Sequence, residues 1–226
     1  MKPLHADDTG RTPPEGAPVP LLVACALGIE KFALRGADRD AVGTPVVTLR
    51  TGMGPHAAER ALTRALRAGF GTERSPVIAT GFCAGLVPGM RPGDLVVADA
   101  TRDHRPDTTD VVCRDNGPLL RALAARGARV HTGLLRGSDH VVRGAERAAL
   151  HAQGAVAVDM ESAATLRAAT LAEDRPVAAV RVVVDAPEHE LVRIGTLRGG
   201  ISAFRVLRSV LPVFFEWHRS LSLPRR

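Results

Sequence analysis

The chain has 226 residues, 45% of them hydrophobic and 24% charged, which suits one domain of ordinary size with a packed core and excludes general disorder. Its 22 Gly and 16 Pro follow no repeat, so collagen-like and solenoid architectures are excluded too. The net charge of +6 rests on arginines spread along the chain, Lys2 and Lys31 being the only lysines, with 3% aromatics and no Tyr; this lacks the clustered cations and stacking groups of a nucleic-acid-binding surface.

Residues 1–19 (MKPLHADDTGRTPPEGAPV) are polar and rich in Pro and Gly, and read as a flexible tail ahead of a single domain over 20–226. From there short apolar runs alternate with helical patterns. LLVACAL at 21–27, PVVTL at 45–49, PVIATG at 76–81, DLVVAD at 94–99, RVHTGLL at 129–135, AVAVD at 155–159 and PVAAVRVVV at 176–184 are strand-like. A helix is expected over 56–69, where Ala58, Ala61, Leu62, Ala65 and Leu66 form one apolar face. Another runs over 117–126, opened by Asn116 and Pro118 and stopped by Gly127. Two more are expected over 160–172 and 200–220. Strands apolar on both faces, alternating with helices, predict an α/β fold with a central sheet covered on both sides.

No apolar stretch approaches the ~20 residues that cross a bilayer, and no basic start leads into an apolar signal segment; a cytoplasmic location is expected. The three cysteines, Cys25, Cys83 and Cys113, lie far apart without CxxC spacing and read as reduced, mostly buried thiols rather than metal ligands.

In sheets of this kind ligands gather beyond the carboxyl ends of strands, so the residues there are the candidates for chemistry. They are Gly28-Ile29-Glu30, Thr51-Gly52-Met53-Gly54, Asp159-Met160-Glu161-Ser162, and Asp185 on a strand that also carries Arg181. Each has a plain structural alternative. A GxG before a helix is often a tight turn, Asp159 and Glu161 suit a first helical turn, Asp185 suits a turn before Ala-Pro, and Glu30 suits a surface. Arg181 differs, because an apolar β-run must pair a cation that it buries.

Taken together the segments resemble the nucleoside phosphorylase and nucleosidase superfamily, which includes methylthioadenosine/S-adenosylhomocysteine nucleosidase, over residues 20–187. TGMGPHAAERAL is similar to its early glycine turn and helix, VIATGFCAGLVPGMRPGDLVVAD to its TGxAGGL…GD stretch, AVDMESAA to its xMExxA ribose motif, and VRVVVDAP to its VRxxSD strand. GSDHVV…AVAVDMES and the basic apolar tail resemble most the hopanoid-associated branch, which removes adenine from adenosylhopane. The resemblance implies a three-layer αβα fold with a twisted, mostly parallel (mixed) sheet. It implies Asp185, near Arg181, as the acid at the purine N7, Glu161 with Met160 at the ribose, and Glu30 as the base for an attacking water. Gly54 belongs to the glycine turn. Gly81, Phe82 and Cys83, with Val141 and Val142, would line the purine. No metal or organic cofactor is implied. A homo-oligomer, often a dimer, is, with segment 101–116 (Asp103, His104) closing a neighbour's site.

Three departures matter. Val184 stands where the resemblance expects Ser before Asp185. Gly81-Phe82-Cys83-Ala84-Gly85 is bulkier than GSAGG. Ala79-Thr80 stand where phosphorylases carry a phosphate-binding Arg, which favours hydrolysis. At the C-terminus, Phe204, Phe214, Phe215 and Trp217 share residues 201–226 with five arginines. Two readings stand: a closing helix on the sheet, or a basic amphipathic helix resting on a membrane, as a hopane-bearing substrate would require. Pro212 is expected to split the segment in two.

Overall fold

The computed structural model describes residues 19–35, 45–69, 74–187 and 197–221, with backbone alone for 197–202. Apart from Val19, the expected tail lies outside the described residues. The elements run β1 (Leu21–Cys25), α1 (Gly28–Ala33), β2 (Val46–Arg50), α2 (Pro55–Arg67), β3 (Val77–Gly85), β4 (Leu95–Arg102), β5 (Val111–Val112), α3 (Gly117–Ala125), β6 (Val130–Gly137), α4 (Ala145–Ala152), β7 (Ala155–Asp159), α5 (Ser162–Ala172), β8 (Val177–Asp185), α6 (Leu197–Ser209) and α7 (Leu211–Leu221). Every expected strand and helix is present. The sequence reading missed α1, α4 and β5, three short elements of at most eight residues, because two turns or fewer give no readable period.

Alternation along the strands sorts the chain into three layers. Leu21, Val23 and Cys25 of β1, with Ala178, Val180 and Val182 of β8, face α1, α3, α6 and α7. Leu22 of β1, with Val177, Ala179 and Val183 of β8, faces α2 and α5. Both faces are therefore apolar, as a sheet covered twice requires. The apolar stripe of the C-terminal segment belongs to the first layer: Leu211, Val213, Phe214, Phe215 and Trp217 are all buried there. The packed-helix reading of this segment holds, and α7 presents no apolar face to a membrane. Pro212 is the second residue of α7, two past Val210, which separates it from α6. Among the described residues no helix is long and apolar enough to cross a membrane.

The sheet is mixed. β1–β2, β1–β3, β3–β8, β4–β6 and β6–β7 pair parallel, while β3–β7, β4–β8 and β4–β5 pair antiparallel. These pairings close a ring, β3-β8-β4-β6-β7 and back to β3, with β1 and β2 continuing from β3 as an open wing. Ring closure is what positions the site. β1, β2, β3 and β8 deliver their carboxyl ends to one edge, and β7, antiparallel to β3 through Ala84↔Val158, brings Asp159 back alongside the carboxyl-terminal part of β3.

Candidate active site

Arg181 organises the centre. It sits inside the apolar run of β8 with 1% of its surface exposed, so each donor needs a partner. Nε lies 2.6 Å from Asp159 Oδ2 and donates to Ser162 Oγ at 2.8 Å, and Nη1 donates to the Thr80 carbonyl at 2.9 Å. Burial opposes the guanidinium charge, but the carboxylates of Asp159, Glu161 and Glu30 outweigh it and hold the pKa above its ordinary value. Asp159 does double duty: its Oδ1 accepts from the Glu161 and Ser162 amides at 3.3 and 3.1 Å, so the helix-start reading of Asp159 is also correct.

Glu30 is buried, not a surface residue. Its Oε2 accepts from the Ala26 and Leu27 amides at 2.8 and 2.7 Å, and Oε1 from the Phe82 amide at 3.0 Å. Three charge-assisted backbone hydrogen bonds pin the carboxyl group in place. The close approach depends on Gly81, whose φ is +130° and whose missing Cβ would lie 2.3 Å from Glu30 Oε1 and 2.7 Å from Arg181 Nη1. Glycine is needed there for backbone conformation and for space.

Glu161, at the end of β7, reaches the glycine turn after β2: the Gly54 amide donates to its Oε1 at 2.9 Å. Its pKa is raised to about 7, chiefly by burial, with Asp159 and Glu30 adding to the rise and Arg181 and the Gly54 bond opposing it. Met160, next in chain, is half-buried.

Asp185 closes β8. Arg181 pairs with Asp159, and Asp185 is ion-paired with Arg147 of α4, a partner that sequence reading did not anticipate, whose Nη2 meets Asp185 Oδ2. Arg147 is buried, its Nε donates to the Val142 carbonyl at 3.1 Å, and its Nη1 has no hydrogen-bond partner among the described residues. Sequence reading missed Arg147 because a charged residue in an Ala-rich helix (AERAALHA) looks solvated. Of the residues expected around the purine, Val142 is buried and Val141 exposed. The Cys83 side chain packs in the core with Leu22, Val77 and Leu166, and burial pushes its thiol pKa well up, so only its backbone is available to a ligand.

Ala79 and Thr80 are fully buried, and Thr80 Oγ1 donates to the Val180 carbonyl at 2.8 Å; neither offers a phosphate ligand. Large apolar side chains stand exposed next to site residues in the chain. Ile29 and Phe32 flank Glu30 on α1, Met53 precedes Gly54, and Val141 precedes Val142, with 53–65% of each exposed. Phe32 also lies 5.9 Å from Phe204 of α6, ring to ring.

The chain is similar to several known proteins. It is 31% identical over 167 residues to a 5′-methylthioadenosine/S-adenosylhomocysteine nucleosidase of Actinobacillus succinogenes, covering 66% of this chain and 71% of the relative. Its fold matches that of an S-adenosylhomocysteine nucleosidase of Streptococcus pyogenes in complex with 5-methylthiotubericidin, with TM-score 0.73 and 18% identity over 88% of this chain and 97% of that one. It also matches a futalosine hydrolase mutant of Helicobacter pylori, with TM-score 0.69 and 14% identity over 86% and 97%. Residues 39–211 fit the Phosphorylase superfamily as a family, a span that holds the Gly54 turn, Gly81, Arg181, Glu161 and Asp185, and the chain belongs to that superfamily.

Proposed function

We propose that this protein is a nucleosidase that hydrolyses the N-glycosidic bond of adenosylhopane, releasing adenine and ribosylhopane in hopanoid biosynthesis. The observation that carries this reading is that three carboxylates, Glu30, Glu161 and Asp185, stand at or just past the ends of β1, β7 and β8, with exposed apolar side chains next to site residues in the chain. Water bonds to C1′ as the C1′–N9 bond breaks, and the bonding pair stays with the base. Asp185 gives a proton to N7, and Glu30 takes one from the water. Glu161 accepts hydrogen bonds from the ribose hydroxyls and favours the positive charge that develops on the sugar. Hydrolysis is favoured over phosphorolysis by Ala79 and Thr80, both buried and without a free donor for phosphate. A long apolar 5′ group is favoured by the exposed apolar side chains of Ile29, Phe32, Met53 and Val141, through which a hopane-bearing substrate would meet the membrane in place of the buried α7 stripe. The relatives' names support a second reading, a nucleosidase for a soluble nucleoside such as methylthioadenosine or futalosine.

The test is adenine release from adenosylhopane and from methylthioadenosine, with and without phosphate, by wild type and by Asp185→Asn. Release from adenosylhopane without phosphate, lost in the variant, is the expected result. Dependence on phosphate makes the protein a phosphorylase. Cleavage of methylthioadenosine alone removes the hopane and keeps the nucleosidase.

A further inference from the structure

Arg147 is the one buried residue of α4. The same helix leaves Ala145, Ala148 and Ala149 exposed and Leu150 half-exposed. Burying a leucine is favourable, whereas burying a guanidinium carries a desolvation penalty. A helix that turns its arginine inward and its alanines outward is not doing so to fill the core. Nη1, without a hydrogen-bond partner among the described residues, adds a further penalty for a buried donor.

The contacts show what the inversion achieves. The guanidinium joins two elements: Asp185 at the end of β8, through Nη2, and the Val142 carbonyl in the loop before α4, through Nε. On the nucleosidase reading the first is the acid and the second belongs to the loop beside the purine. A planar fork with fixed donor directions sets the angle between its two partners, which a flexible ammonium does not. We propose that Arg147 is a positioning residue for base departure: it acts through Asp185, fixing that carboxyl group relative to the base-binding loop and balancing the charge left on it once its proton has passed to N7. This rests on the nucleosidase reading of the site.

The effect belongs to the leaving group alone. Methylthioadenosine needs a proton at N7 for its base to depart; 4-nitrophenyl riboside does not, because nitrophenolate leaves as the anion. In Arg147→Met, kcat on methylthioadenosine is expected to fall about 30- to 100-fold with KM unchanged, while cleavage of the nitrophenyl riboside stays within about threefold. Asp185→Asn is expected to give the same split, and Arg147→Lys, which restores the cation but not the fork, part of the lost rate. Should Arg147→Met fail to fold, the split between the two substrates is read in Arg147→Lys. Equal losses on both substrates, a change confined to KM, or no change in a folded variant overturns the inference and leaves the nucleosidase standing. Where the wild-type protein leaves methylthioadenosine intact, adenosylhopane takes its place in the comparison, and failure to release adenine from either nucleoside overturns both.

Discussion

At the scale of single residues the site is a problem of fitting charges into space. Glu30 and Arg181 approach each other across Gly81, and the approach depends on a hydrogen atom where other residues carry a methyl group. Gly81→Ala is therefore expected to displace the Glu30 carboxylate and lower kcat/KM about 100-fold, with circular dichroism unchanged. Glu161 makes a pH prediction. Its pKa is raised to about 7, chiefly by burial, and the ribose hydroxyls need the ionised form as acceptor, so kcat/KM should rise with pH through about 7 and fall below it. In Glu161→Gln the rate should be low at every pH and this limb should vanish; an unchanged limb assigns it to another group. Glu161 and Asp185 were legible in the sequence because they follow apolar strands, where ligands gather, and Arg181 because it interrupts one. Arg147 was not, since its burial depends on Asp185, 38 residues further along the chain, and nothing in AERAALHA announces it.

At the scale of elements, α1 and α7 show how context overrides local pattern. α1 is only six residues long, and Glu30 accepts the Leu27 amide at its own start, so the group read as a water-activating base is also what satisfies the helix end. The stripe of α7 is amphipathic in the manner of a membrane-surface helix, but its apolar side is filled by α3 and the sheet. Arg126 reaches Glu216 at 2.7 Å, and Trp217 Nε1 donates to the Asp115 carbonyl at 3.1 Å. Trp217→Ala should cost about 3–5 kcal/mol in urea unfolding, and truncation after Arg208 should abolish folding. A truncated chain that keeps its cooperative transition would place α7 outside the core. His218, on the same helix, is buried, and desolvation lowers its pKa, with Arg219 acting the same way and the backbone of Val19 opposing. Its folded pKa lies below the unfolded value, so its contribution to stability is present above about 6.5 and is lost as pH falls through the folded pKa. His218→Gln should flatten that part of the stability curve, measured by thermal unfolding at a series of pH values.

At the scale of the whole molecule the deciding feature is the closed ring of β3, β8, β4, β6 and β7. It carries Asp159 from β7 to Arg181 on β8, a buried ion pair that ties two strands and the start of α5 together. Removing one partner leaves a buried charge uncompensated, so Asp159→Asn should lower unfolding stability by about 3–5 kcal/mol and abolish activity with it. Retained stability would mean that Ser162 and the Thr80 carbonyl suffice for Arg181. The amino-acid sequence by itself determined the α/β class, the seven longer strands and the two-faced burial, because these follow from short-range periodicity and from the absence of polar groups on either face. It also determined which strand ends carry carboxylates. Only the tertiary structure decided that the sheet closes, that the apolar stripe of α7 is core, and that Asp185 answers to Arg147 rather than Arg181. Each of these depends on pairings between distant segments, and such pairings are set by burial and charge in three dimensions, where the local pattern is silent.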